Sequence, residues 1–397
     1  MKMQQSVRDP LTVVIVGGVG AMGRHAVRAI VRLGSAKRIV IADINIERAS
    51  QFAAEIGDLA EPLQLDASDE SAMRAAFADC DVVLNTMGPF AHFGGPVLRA
   101  ALEAGCDYLD IDDDWDATVE ALEFDELARR QGCRAVIGVG ASPGTTNLCA
   151  TLAAGSLDSV EDLFTGWTLE MATSEPEAAY PSTGQVSAAA KHWLLQCTET
   201  IRTWENGQAA DVKPLQPVAF DFPGIGPVQP YTMGHPEPIT LPRSLPGLTR
   251  VLNLQSTSSP DLFDHFRKVA AEYEAGRVTL DEGARLLAQF PDLDGGPMDT
   301  PLPPVYAVAR GVKDGRARTV AVYPRAELPG GLGGNTGIPL AIGLELLRRG
   351  AAETPGLHAA ETAFDPTQYF QLYGQFLETS VESIEDVLIV ATSSNEA

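Results

Sequence analysis

The chain has 397 residues, 45% apolar and 21% charged, the composition of an ordinary globular protein long enough for about two domains. Its formal net charge of −24 argues against nucleic acid and anionic membrane surfaces as partners. No run reaches the ~18 uninterrupted apolar residues of a membrane span. Residues 1–10 are polar and too short for a signal peptide. The five cysteines show no C-x-x-C pairing and, with the six histidines, no zinc spacing. Reduced thiols in a cytoplasmic protein without a metal site are the expectation.

Leu11 to Gly23 reads Leu-Thr-Val-Val-Ile-Val-Gly-Gly-Val-Gly-Ala-Met-Gly. The β-branched run predicts a strand. Gly18, Gly20 and Gly23 stand in G-x-G-x-x-G spacing ahead of a helix through Leu33. In that pattern Gly18 permits the turn, Gly20 lets a pyrophosphate approach the backbone, and Gly23 lets the helix pack on its strand. The helix start, Ala21 and Met22 included, offers N–H groups and the positive end of a dipole to phosphates. Arg38 to Asp43 predicts a second strand ending in an acid, at the distance from Gly18 where a ribose-binding acid is expected. A carboxylate there accepts from both adenosine ribose hydroxyls and repels a 2′-phosphate. NAD is therefore the expected cofactor, with NADP as the alternative because Arg48 lies one helical turn further on.

Ile46 to Gly57 reads as a helix and Pro62 to Asp66 as a third strand, with Asp66 and Ala67 beside the adenine or simply opening the next helix. Asp81 to Asn85 predicts a fourth strand. The loop after it borders the switch point of such a sheet, which places Asn85, Gly88, Pro89 and Phe90 near the pyrophosphate and nicotinamide ribose. His92 follows as a titratable ring suited to proton transfer, ahead of a helix from Pro96 to Ala104. Cys106 to Ile111 predicts a fifth strand, on which Tyr108, Asp110 and Asp112 share one face by period two. Asp110 and Asp112 lie nearest the strand's carboxyl end, as candidates for acid/base work or for pairing with a substrate ammonium. Asp113, Asp114 and Asp116 lead into a helix from Ala117 to Gln131, and Arg134 to Val139 reads as a sixth strand. Gly140 to Asn147 is a second Gly/Pro-rich turn into the helix Leu148 to Ala154, with Asn147 expected to face the nicotinamide or substrate.

From about Leu157 the βα alternation stops. Strand-like runs (Leu163 to Met171, Val218 to Phe222) alternate with Pro-rich turns, and the helix Gly184 to Glu205 carries Lys191, His192 and Trp193. Gly234 to Arg243 is stiffened by prolines, Asp261 to Phe290 predicts two helices, and Val305 to Tyr323 predicts a hairpin around Asp314-Gly315. Gly330 to Gly337 then leads into a helix to Arg349. Asn335 and Thr336 at its start form a further site for an anion or amide, or else a flexible joint. No internal repeat is present.

Together the first Gly-rich turn, Asn85 to Phe90 with Gly94, Tyr108-Leu109-Asp110, Ser142-Pro143-Gly144 and Thr336-Gly337-Ile338-Pro339 resemble the saccharopine dehydrogenase-like family, in its saccharopine reductase and carboxynorspermidine synthase branch. The resemblance implies an α/β protein in three parts. Residues 1–150 would form a doubly wound Rossmann domain, 151–330 an inserted α+β domain for substrate binding and dimerisation, and 331–397 a segment returning to the first. It implies reversible reduction of an imine, formed from an amine and a carbonyl acid, to a secondary amine. The substrate would be a small molecule, an amino acid or polyamine derivative, and the protein a homodimer. That family mostly uses NADP, from which Asp43 departs. In this reading His92, Tyr108 or Asp110 protonates the imine nitrogen, Asp112 pairs with the substrate, and Lys191 and Arg243 meet its carboxylates. The alternatives are a non-catalytic NAD-binding sensor or assembly protein, and a reductase of C=C or C=O bonds. A dehydrogenase of simple alcohols is disfavoured, since the sequence contains no Tyr-x-x-x-Lys.

Overall fold

Val13 to Val16 has no polar side, so its strand must bury both faces, as in a parallel sheet between helix layers. A computed structural model describes residues 8–169, 188–257, 259–289 and 302–394. Parts of three expected elements, at residues 170–171, 184–187 and 290, lie outside them. The chain divides into two units. One takes the described residues up to Asp112 with 116–144 and 333–376, and the other takes 113–115, 145–332 and the described residues from 377 on.

In the first unit the strands are β1 (Leu11–Val16), β2 (Ala36–Asp43), β3 (Ala60–Gln64), β4 (Val82–Asn85), β5 (Asp107–Asp110), β6 (Arg134–Ile137) and, numbered by its place in the chain, β16 (Gly356–Ala359). They form one seven-stranded sheet in the order β16-β6-β5-β4-β1-β2-β3. All pairings are parallel, with Ile15 between Ile41 on one side and Leu84 on the other. This is the doubly wound order, reversing between β1 and β4. All six residues of β1 are buried. The helices α1 (Ala21–Leu33), α2 (Ile46–Ile56), α3 (Glu70–Phe77) and α4 (Phe90–Glu103) alternate with the strands. Val14, Val40, Phe77, Val83, Leu98 and Leu102 share one core cluster. Two differences from the sequence reading matter. α4 begins at Phe90 rather than Pro96, and β16 joins the sheet although its four residues gave no pattern to read.

In the second unit, β7 (Ser159–Thr168), β8 (Ile201–Glu205), β9 (Gln208–Val212), β12 (Tyr231–Thr232), β13 (Arg250–Ser256), β14 (Val305–Lys313), β15 (Arg316–Pro324) and β17 (Leu388–Ser394) build a second sheet. Its order is β17-β15-β14-β7-β13-β8-β9, with β12 added beside β13. The pair β7 and β13 is parallel, while β14 and β15 form the expected hairpin. Asp314 and Gly315 turn it at φ 50° and 71°. β17 pairs with β15, so the end of the chain belongs to the second unit and not to the first. One face of this sheet packs Phe164, Leu252, Leu254, Tyr306 and Val308 into a core with Phe220 and Phe222. Period-two alternation sends Thr165, Trp167, Asn253 and Gln255 to the other face. No helix among the described residues is long and apolar enough to cross a membrane.

Candidate functional site

β1 hands over to the loop at Gly17, whose φ of 75° is the left-handed conformation that glycine takes without strain. The turn therefore falls one residue earlier than the Gly18 of the motif reading. Gly18 lies instead against β2, where a Cβ would come 3.0 Å from Cγ2 of Ile41. Gly20 is the N-cap of α1 and has no side chain to occupy the amides of the first turn, those of Ala21 and Met22 among them. At Gly23 a Cβ would meet the Gly17 carbonyl oxygen at 2.7 Å and the Gly18 Cα at 2.8 Å, so helix and loop touch backbone to backbone. Thr86, just after β4, braces the same loop by donating from Oγ1 to the Val16 and Gly17 carbonyls at 2.9 and 3.1 Å. Arg24, which the motif reading passed over, is 6% exposed and donates to the Val19 carbonyl at 2.8 Å. Its signal in the sequence was a cation directly after the third glycine.

Asp43 ends β2 half-buried, with Oδ1 accepting from the Asn45 amide at 3.0 Å. Burial pushes its carboxyl above the usual range, against the pull of the Asn45, Val19 and Ile44 amides and the Arg48 guanidinium. Asp66 is exposed and accepts from the Ser68 hydroxyl and amide at 2.7 and 2.9 Å, which hold it below the usual range, and Ala67 beside it is buried. Asn85 shapes the turn after β4. Its Oδ1 accepts from the Met87 amide at 3.0 Å and its Nδ2 donates to the Tyr108 hydroxyl at 3.2 Å. Gly88 and Pro89 follow, Pro89 as N-cap of α4, with Phe90 buried and His92 exposed in the first turn. Asn335 and Thr336 lie buried within α12 (Gly331–Arg348), not at its start. The next residue, Gly337, backs α1, for a Cβ there would meet the Met22 carbonyl oxygen at 2.2 Å.

Three candidates are buried and engaged within the first unit. Tyr108 is 0% exposed, burial together with Asp110 pushes its phenol far above the usual range, and its hydroxyl accepts from Asn85. Asp110 and Asp112 are each 2% exposed. Asp110 Oδ1 accepts from the Gly138 and Asp112 amides at 2.7 and 3.1 Å, and Asp112 Oδ2 accepts from the Thr118 hydroxyl at 3.0 Å. Their oxygens help to hold the turns after β5 and β6. Lys191 pairs with Asp281 at 2.7 Å, and Arg243 lies exposed in the last turn of α9 (Glu237–Ser244).

The second unit gathers what sequence spacing kept apart. On the polar face of its sheet, Asn253 Nδ2 donates to Thr165 Oγ1 at 3.2 Å and to Glu237 Oε1 at 3.0 Å. Glu237, 0% exposed, also accepts from Thr146 Oγ1 at 2.8 Å. Asn147, expected at the cofactor, donates to Thr240 Oγ1 at 3.2 Å in this network. Beside it His192, on α8 (Ala188–Gln196), sets Nδ1 2.6 Å from Asp114 Oδ1 and Nε2 3.6 Å from Asp113 Oδ2. Gln196 donates to the same Asp114 oxygen at 3.0 Å. His235 stands edge-on to His192, ring centroids 5.3 Å apart, with Nδ1 3.6 Å from Glu237 Oε2. The Trp167 indole N–H reaches His235 Nε2 at 3.3 Å. An indole can only donate, so that nitrogen accepts and the proton of the neutral ring sits on Nδ1, toward Glu237. Of these residues the sequence offers a site role only for Asn147; Asp113, Asp114 and His192 stand out by residue type alone, and the set is scattered from residue 113 to 253 without a shared motif.

Residues 13–136 match the family model described as the saccharopine dehydrogenase NADP binding domain. The match lies almost wholly within the first unit and covers about a third of the chain. Such a domain binds NAD(P), and its family is one of oxidoreductases. The saccharopine dehydrogenase (L-Glu forming) of Saccharomyces cerevisiae shares the fold, at TM-score 0.62 and 15% identity, over 97% of this chain and 100% of that one. Among curated proteins, the trans-acting enoyl reductases of Mycobacterium bovis and Mycobacterium leprae are 34% and 31% identical over 102 residues. Those matches span 25% of this chain and 24% of each relative.

Proposed function

We propose that the chain is an NAD(P)-dependent reductase of a C=N bond, taking an imine of an amine and a carbonyl acid to a secondary amine. The observation that carries this reading is the carboxylate–imidazole face of the second unit, where Asp113, Asp114 and Glu237 accompany His192 and His235. A nitrogen that is cationic as iminium and as product ammonium is matched by carboxylates. An enoyl thioester is neutral and gathers negative charge on oxygen as it is reduced, which calls for N–H donors instead. A bound dihydronicotinamide supplies the hydride for carbon, and nitrogen then needs one proton. An imidazole held by a carboxylate, as His192 is by Asp114, is a group suited to hold that proton. Asp43 favours NAD over NADP, since a carboxylate beside the ribose hydroxyls repels a 2′-phosphate.

Reduction of a C=C bond is the second reading, favoured by the names of the mycobacterial relatives. NADH and NADPH oxidation separates the two, with mixtures of amines and 2-oxo acids in one series and enoyl thioesters in the other. Turnover in the amine series, faster with NADH, is expected. Turnover confined to enoyl thioesters would overturn the proposal.

A further inference from the structure

We propose that Cys80 and Cys106 form a thiol-oxidation site in the nucleotide-binding unit, closing to an intrachain disulfide under a peroxide. Their sulfurs lie 3.1 Å apart. The approach follows from the sheet. β4 and β5 run parallel with Val82 opposite Asp107, and the Asp107 amide donates to the Asp81 carbonyl at 3.1 Å. One step earlier on each strand, Cys106 faces Asp81, and Cys80 is its diagonal neighbour. Neighbouring strands run about 4.8 Å apart, within the Cα separations a disulfide spans.

The two thiols differ in ways that divide the labour. Cys106 is 1% exposed, and its sulfur sits 3.2 Å from the Phe77 carbonyl and 3.3 Å from that of Cys80. Cys80 is half-buried and lines a cavity of about 500 Å³ together with Lys37, Asp81 and Arg134, which gives a small oxidant access. The contact between the two sulfurs holds the Cys106 thiol below its usual range and, with burial, pushes that of Cys80 above it, so exposure and not thiolate character makes Cys80 the sulfur that peroxide meets first. Peroxide first converts the Cys80 thiol to a sulfenic acid, its O–O bond breaking and one water leaving. Cys106 sulfur then displaces the hydroxyl as a second water. Two S–H bonds are lost, one S–S bond forms, the sulfurs are oxidised and the peroxide is reduced. Cys149 and Cys197 are fully buried apart from this pair, and burial pushes both thiols well above the usual range. Cys133 is the neighbouring competitor, its thiol pushed up to about 11 by burial and by Asp107.

The bridge joins the entries of β4 and β5, whereas the glycine loop lies at the exit of β1. Oxidation should therefore raise thermal stability and leave cofactor affinity unchanged. The test uses the full chain, reduced and then exposed to hydrogen peroxide, with peptide mapping under non-reducing conditions. The expected result is a Cys80–Cys106 cross-link that is reversed by dithiothreitol, is absent from Cys80→Ser and Cys106→Ser, and raises Tm by roughly 5 °C. Circular dichroism of the two serine variants checks that they remain folded. A cross-link to Cys133, oxidation of Cys80 to a sulfinic acid without cross-linking, or no oxidation of the native chain at peroxide levels that oxidise the unfolded one would each overturn the proposal.

Discussion

Gly23→Ala tests the nucleotide loop at its tightest point. The new methyl would lie 2.7 Å from the Gly17 carbonyl oxygen, 2.8 Å from Gly18 Cα and 2.9 Å from Gly18 C. All three are backbone atoms of the loop itself, so no side chain can swing away. Restoring ordinary contact requires helix α1 and the loop to separate by roughly half an ångström, and overpacking of this kind costs ~1–3 kcal/mol. The same movement misaligns the helix-start amides, each of whose bonds to a charged phosphate contributes ~1.5–3 kcal/mol. A loss of about 3 kcal/mol in cofactor binding corresponds to an affinity weaker by about two orders of magnitude. The assay is a fluorescence titration with NADH and NADPH, run beside thermal melts. Gly34→Ala is the control, since Gly34 has φ +65° but nothing within 4 Å of its Cβ, so stability falls by ~1 kcal/mol while cofactor affinity holds. If Gly23→Ala binds NADH like the parent chain, the backbone contact does not set the phosphate site.

Asp43→Ala should weaken NADH binding about tenfold through the loss of charge-assisted bonds to the ribose, while NADPH binding holds or improves; unchanged NADH affinity in the same titration would remove the ribose role. Glu345, with a side chain 1% exposed, accepts from Ser35 Oγ at 2.7 Å, Arg348 Nε at 2.8 Å and Arg349 Nε at 2.7 Å. Burial alone would raise its carboxyl, but Arg348, Ser35 and Arg349 outweigh it and hold the group below the usual range. A depressed folded-state value gives stability that is present above the unfolded pKa and lost as pH falls through the folded one. Glu345→Gln should therefore cost about 3 kcal/mol near neutral pH. In denaturant melts its deficit should shrink below a pH of about 4, and a pH-independent deficit would contradict the assignment. Glu237→Gln keeps the shape of the polar face and removes its charge; imine turnover should fall at least about tenfold with NADH affinity unchanged, and an unaltered kcat/KM would remove Glu237 from substrate recognition.

The nucleotide-binding unit was legible because each of its elements is encoded locally. Val13 to Val16, the glycines, Asp43 and Asn85 fall in one stretch where period, turn residues and strand ends agree, and the sheet order follows from the alternation. The glycine-rich start of α12 was harder. Gly331 to Gly337 resembles a loop by propensity, yet it is helical, and Gly337 is needed to let α12 approach the Met22 carbonyl. Pro236 and Pro238 misled in the same way, since prolines tolerated at a helix start read as a stiff loop. Tyr108 and Asp110 were correctly placed on one strand, but period two cannot tell a face aimed at a ligand from one buried beneath a helix. The second unit was least legible for a topological reason. Asp113 and Asp114 belong to it although the chain around them builds the first unit, and they meet His192 only through the fold.

The most direct test of the account follows the hydride. The protein is supplied with NADH deuterated at the transferable position, together with an amine and a 2-oxo acid, and the product is read by mass spectrometry. A secondary amine with one deuterium on the carbon bonded to nitrogen is expected. A saturated thioester carrying the deuterium when enoyl thioesters are supplied, with no labelled amine from any amine mixture, would contradict it.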